Sequence, residues 1–183
     1  MDYIKKYKIQ NWDHYQPLLQ KEIERQIEVY PNTWRDAADI EHYGEDGGNV
    51  LCDWNNPTRD TEYWNIVQEM IKVPMANYCK QSGTNHVQMT NCWWSRYDVG
   101  GTFDWHTHEG CNLCAVIHVD LEDPQDSTKV WGYDKDIEVG DLIIFPAMTA
   151  HAGLPAKSKK TIIAMNFDIM IGKGTSAYRK YNV

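Results

Sequence analysis

From Thr84 onward the sequence breaks into short apolar runs, each too brief for a stable helix and each closed by turn residues. The runs are HVQMTNCWWSRYD, FDWHTH, NLCAVIHVDLE, KVWGY, DIEVG, DLIIFPA and KTIIAMNFDIMI, separated by VGG, EGC, DPQDS, DKD and HAGLPAKSK. This pattern constrains the chain more than any other feature. Strands so short and so evenly spaced bury their apolar faces only by packing on one another, as in a small barrel or jelly roll.

The preceding half has a different period. Leu18, Leu19, Ile23, Ile27 and Val29 recur near helical spacing, which predicts a helix over residues 14–29. A second amphipathic helix is expected from Thr61 to about Lys80, stopped by Gly83 and kinked or divided at Pro74. Between them, residues 34–60 are polar and rich in Gly, Asn and Asp; the part from Asp36 to Asp60 is long enough to serve as a lid. Helices followed by strands predict an α+β chain of one domain over residues 1–183. Residues 1–83 then supply helical and loop support, packed on one face of a sheet core at 84–172, and 173–183 form a tail.

Composition narrows the function classes. Net charge is −8, so phosphate backbones and anionic lipid gain no long-range attraction, and nothing favours nucleic acid as a partner. No apolar run approaches the roughly 20 residues of a membrane span, and the N-terminus lacks a signal peptide's apolar core, so a cytoplasmic location is expected. Five cysteines suit reduced thiols better than a disulfide framework.

Within FDWHTH, His106 and His108 lie one residue apart. On an extended segment positions i and i+2 share a face, so two imidazoles can converge on one ion. A metal site takes at least a third ligand, and His151, after DLIIFPA, is the best candidate. Forty-five residues separate it from His106, enough for intervening strands to bring the chain back beside its start. Asp104 shares the face of the pair and Glu109 follows it; either is a candidate fourth ligand or a partner fixing an imidazole tautomer. His14, His42 and His86 take the default role of satisfied polar residues. His118 reads as a half-buried strand residue or one lining the pocket. Cys111 and Cys114 resemble half a zinc or redox site, but no second pair exists and their spacing puts the thiols on opposite faces of a strand.

RYDVGGTFDWHTH, followed by GDLIIFPAMTAHAGLPAKSKKTIIAMNF, resembles the iron(II)/2-oxoglutarate-dependent oxygenases. The likeness is to the prolyl-hydroxylase-like branch and to oxygenases of marine phages and bacteria. It is carried by Arg96, Tyr97, Gly100, Phe103 and His106, then by Gly140, Asp141, Phe145, Pro146, His151 and Lys160, and covers roughly residues 87–170. The resemblance implies a double-stranded β-helix, the jelly-roll or cupin-like barrel. It implies Fe(II) at His106, His108 and His151, with 2-oxoglutarate as cosubstrate. Lys160 would receive the far carboxylate of 2-oxoglutarate, Tyr97 would donate a hydroxyl to it, and Asn166 lies on the same face of that strand. Two departures stand out. His108 replaces the family's acidic ligand, leaving the metal one unit more positive, and Lys160 replaces an arginine, a point charge for a planar fork.

The expected activity is hydroxylation of a small-molecule or peptide substrate. A cupin-type three-histidine dioxygenase that needs no 2-oxoglutarate ranks second, and a catalytically silent metal-binding module third. Trp93, Trp94 and Trp105 are expected around the site, as cleft walls or as core.

Overall fold

The computed structural model describes residues 3–29, 49–54, 61–84 and 86–170. In chain order the elements are β1 (Lys5–Lys8), α1 (Trp12–Val29), β2 (Val50–Cys52), α2 (Tyr63–Ser82), β3 (Val87–Tyr97), β4 (Phe103–His106) and β5 (Leu113–Leu121). A 3-10 turn at Pro124–Asp126 follows, then β6 (Lys129–Val130), β7 (Asp141–Pro146), β8 (His151–Gly153) and β9 (Lys160–Ile169). The strands form two antiparallel sheets, one ordered β1-β7-β5-β9-β3-β2 and one ordered β4-β8-β6.

Period-2 alternation explains both cores. On β5 and β9, Leu113, Ala115, Ile117, Val119, Ile163, Met165 and Phe167 point to one face, where they pack with Leu19 and Ile23 of α1 and Val67 and Ile71 of α2. The alternate residues Cys114, Val116, Ile162 and Ala164 point the other way and pack with Ile143 and Phe145 of β7 and Val130 of β6. The larger sheet is therefore buried on both faces, so its central strands read as nearly continuous apolar runs. Both helices lie on one face, and the small sheet covers the other.

The helices match expectation to within two residues at each end. Pro74, however, does not divide α2. It is itself buried, and Met70, Ile71, Met75 and Tyr78 around it are packed into the core. That burial outweighs the roughly 3 kcal/mol that an interior proline costs. The sheets also recruit strands from the first half of the chain. β1 pairs with β7 at one edge, and β2, inside the stretch expected to be loop, pairs with β3 at the other. DIEVG forms no strand, although Ile137 is buried, and KVWGY contributes only the two residues of β6. Most of the expected lid, His42, and the tail at 173–183 lie outside the described residues.

Candidate metal centre

Cross-strand pairing assembles the site. β4 pairs with β8 so that His106 lies directly opposite His151, and these rings stand 4.1 Å apart between centroids. β4 ends at His106; the chain continues extended beside the β7–β8 connection, where the backbone N–H of His108 donates to the carbonyl of Ala147 at 3.0 Å. His108 thereby reaches 5.1 Å from each of the other two rings. One nitrogen from each imidazole lies within 4.8 Å of the other two, the spacing of ligands around a single ion. His151 begins its own strand rather than lying in a loop after one.

The rings are held for ligation. His106 Nδ1 is 2.7 Å from the carbonyl of Asp104, and His151 Nδ1 is 3.1 Å from that of Thr149. A carbonyl only accepts, so Nδ1 carries the proton in both rings and Nε2 is left with its lone pair for a metal. Burial keeps His151 neutral, lowering its pKa to about 3, with His106 and His108 adding to the effect and the Thr149 carbonyl opposing it. Burial, helped by His106, lowers His108 to about 4. Neutral imidazoles at physiological pH need no deprotonation before they bind. Asp104 orients His106 through its main chain, while its carboxylate turns back to accept from the Trp105 N–H at 2.7 Å. Neither Asp104 nor Glu109 joins the three histidines, so the ligand set among the described residues is all nitrogen.

The histidines line a cavity of about 280 Å³ between the two sheets. Trp54, Trp93 and Phe103 wall it near the metal centre, with Trp93 5.8 Å from His108 between ring centroids. Val116, Thr128, Ile162 and Tyr97 also line it. Gly153 faces Tyr97 so closely that a Cβ there would sit 3.2 Å from the phenol ring. Of the three tryptophans expected here, Trp93 lines the cavity. Trp94 points to the opposite face, fully buried, its indole N–H donating to Gln26, and Trp105 is exposed.

Lys160 is the cross-strand partner of Tyr97 and is only 1% exposed. Its Nζ donates to the carbonyl of Asp126 at 2.8 Å and sits 4.5 Å over the centre of the Tyr97 ring. No carboxylate among the described residues pairs with it; that of Asp126 accepts instead from the N–H groups of Lys157 and Ser158 and the Ser158 hydroxyl. Burial lowers the ammonium's pKa to about 8, against a raising influence of Asp126. Burial likewise raises the Tyr97 phenol. Asn166 shares the cavity-facing side of β9 but lies six residues along it from Lys160, with its Oδ1 3.4 Å from the Cys114 thiol. Neither Asn166 nor Lys160 lines the cavity, but Lys160 lies against Tyr97, which does, whereas Asn166 is apart from both. The thiols of Cys111 and Cys114 stand 4.0 Å apart, and burial raises the pKa of both. Arg96 points to the helix side and pairs with Glu24 at 2.6 Å.

No family model and no curated protein matches the sequence. Solved structures do match in three dimensions. A prolyl-4-hydroxylase from Pseudomonas putida superposes with a TM-score of 0.62 at 16% identity, covering 91% of this chain and 92% of that one. The chain has the prolyl-hydroxylase fold. A Trichoplax adhaerens prolyl hydroxylase, in complex with a peptide fragment of the hypoxia inducible factor oxygen degradation domain, gives 0.66 at 11% identity over 92% of this chain and 84% of that one. HygX from Streptomyces hygroscopicus, with nickel, 2-oxoglutarate and hygromycin B bound, gives 0.61 at 10% identity over the same shares. Together they span nearly the whole of this chain, the helices included.

Sequence reasoning missed two buried features beside the cavity, of which only Thr128 lines it. His118 is fully buried rather than half-buried. The DPQDS segment, read as a turn, instead places Asp126 and Ser127 in the interior, and Thr128 after it is buried too. The signal was present in part: His118 has the parity of Cys114 and Val116, on a strand apolar on both faces.

Proposed function

We propose that this chain is an Fe(II)- and 2-oxoglutarate-dependent dioxygenase built on a double-stranded β-helix, which hydroxylates a small-molecule or peptide substrate. The observation that carries the reading is the pairing of a three-imidazole cluster on the cavity with a buried ammonium that no carboxylate among the described residues pairs, seated against the cavity-lining Tyr97. His106, His108 and His151 would hold the iron, and the donor chemistry fits: three nitrogen donors, two of them with tautomers set by backbone carbonyls. The bound metal and cosubstrate supply the oxidising power; the protein supplies position and electrostatics. Lys160 receives the far carboxylate of 2-oxoglutarate and Tyr97 offers its hydroxyl beside it. Trp54 and Trp93 shield the metal from water and present flat apolar walls to the substrate. The likeness to 2-oxoglutarate-binding structures supports this assignment.

The test is oxygen uptake by the purified protein. Uptake that requires both Fe(II) and 2-oxoglutarate supports the reading. The carboxylate-free ligand set favours one rival, a three-histidine dioxygenase of cupin type, which would consume oxygen without 2-oxoglutarate. Metal binding with no uptake under either condition would leave a silent metal-binding module.

A further inference from the structure

Cys111 and Cys114 follow closely after His108 in the chain and take no part in the metal centre. β5 begins at Leu113, so Cys111 precedes the strand and period-2 alternation does not separate the two side chains. Their sulfurs instead lie 4.0 Å apart. Cys114 is 2% exposed and fixed, its backbone paired with Phe145 on one side and Asn166 on the other. Cys111 is only partly buried. Burial raises the pKa of both thiols, but their mutual hydrogen bond lowers Cys111 and raises Cys114. Cys111 is therefore the sulfur that ionises first and meets solvent first.

The surroundings decide what closing that gap would move. A disulfide holds its sulfurs at about 2.05 Å, so one of them must approach by about 2 Å. With Cys114 locked between two strands, Cys111 does the moving. On its C-terminal side Asn112 is pinned: its N–H donates to the Phe167 carbonyl at 2.9 Å, and its Oδ1 accepts from the Ile169 N–H at 2.7 Å. On the other side lies Gly110, at φ 80° with no atom within 4 Å of where a Cβ would stand. The displacement thus passes back through Gly110 to His108, which belongs to no strand, whereas His106 and His151 are paired across β4 and β8. The Ala147 carbonyl that holds the His108 N–H is tied to the same loop, because the Ala147 N–H donates to the Asn112 carbonyl at 3.0 Å.

We propose that Cys111 and Cys114 are an oxidisable pair, and that their closure into a disulfide loosens the metal centre through His108. The oxidant is a hydroperoxide, in the simplest case hydrogen peroxide. The Cys111 thiolate attacks one peroxide oxygen; the O–O bond breaks, hydroxide leaves and Cys111 becomes a sulfenic acid. The Cys114 sulfur then attacks that of Cys111, the S–O bond breaks, and water leaves as the S–S bond forms. In sum two thiols and one peroxide give one disulfide and two waters, and a dithiol reductant reverses the change. Nothing in these steps involves 2-oxoglutarate, so they hold whether or not the oxygenase reading does.

The experiment treats the zinc-loaded protein with hydrogen peroxide and takes two readings. Trypsin releases residues 97–129, which contain Cys111 and Cys114 and no other cysteine, so pair formation leaves that peptide lighter by two hydrogens and closed to alkylation. Zinc affinity, read by competition with a chelating dye, is expected to fall about tenfold or more and to return after reduction. Cys111→Ser should match the reduced wild type in zinc affinity and lose the response to peroxide. Peptide 97–129 still open to alkylation after peroxide overturns the pair, and a disulfide that leaves zinc affinity unchanged overturns its link to His108. Reduced Cys111→Ser that binds zinc as weakly as the oxidised wild type would make the thiol itself a zinc ligand, and an affinity loss that reduction does not restore would place the damage elsewhere; either result overturns the proposal.

Discussion

Replacing Lys160 with methionine should make the ligand-free protein more stable. The ammonium is 1% exposed, with one hydrogen bond and one aromatic face as its compensation. Its pKa falls from 10.5 to about 8 through burial. At about 1.4 kcal/mol per pH unit, charging it in the fold costs about 3 kcal/mol more than in the unfolded chain. Methionine keeps the apolar stem but forfeits the bond to the Asp126 carbonyl, a loss of about 1 kcal/mol. The expected net gain is about 2 kcal/mol at pH 7, or roughly 4–8 °C in Tm for a chain of this size. Between pH 8 and 10.5 the unfolded state binds the proton that the folded state has released, so wild-type stability rises with pH there. The advantage of Lys160→Met should therefore be full below pH 8 and fade as pH approaches 10.5. Urea denaturation of both proteins across that range measures it, first without ligand and then with 2-oxoglutarate at about 100 Kd, where the wild type alone should gain about 2.7 kcal/mol. A ligand-free variant less stable than the wild type at pH 7, or one that 2-oxoglutarate still stabilises, would refute the view of Lys160 as an anion seat held at a cost.

His106→Ala or His151→Ala should weaken zinc or nickel binding at least a hundredfold, read by competition with a chelating dye, because two imidazoles cannot hold a site built for three. His118 and His151 are buried and neutral, with pKa values near 3, while the unfolded chain protonates them near 6.5. Between those values the unfolded state binds more protons, so metal-free stability should drop as pH falls, by about 3 kcal/mol per pH unit from the two together. His118→Leu should roughly halve that slope in acid-titration denaturation curves. Gly140 sits at φ 76°, and a Cβ there would meet the Trp12 indole at 2.8 Å. Gly140→Ala should therefore cost about 2–3 kcal/mol in denaturation while leaving metal affinity unchanged.

The long strands and both helices were legible because each buries a large apolar face whose period survives in the residue order. β3, β5, β7 and β9 were all expected where they occur. β1 was not, because KKYK carries three lysines. It is an edge strand, and Lys6 and Lys8 find Asp141 on the neighbouring strand. β2 and β8, three residues each, are too short to show alternation, and their pairing depends on partners more than 20 residues away. The histidine cluster could be read because His106-x-His108 states half of it locally; His151 needed a fold hypothesis to join them. The donor surplus at Lys160 was invisible, since it follows from which carboxylates are already occupied, a property of three-dimensional neighbours and not of residue order.

β5 and β9 divide their labour by parity: odd positions anchor the helices, and even positions face the side of the cavity. Evolution can thus exchange cavity-side residues one at a time without loosening the helical side. An inserted or deleted residue within β9 would do the opposite, sending Thr161 into Lys160's place and the cavity-side residues into the oil, so this lineage should diversify by replacement inside these strands and by length change only between them.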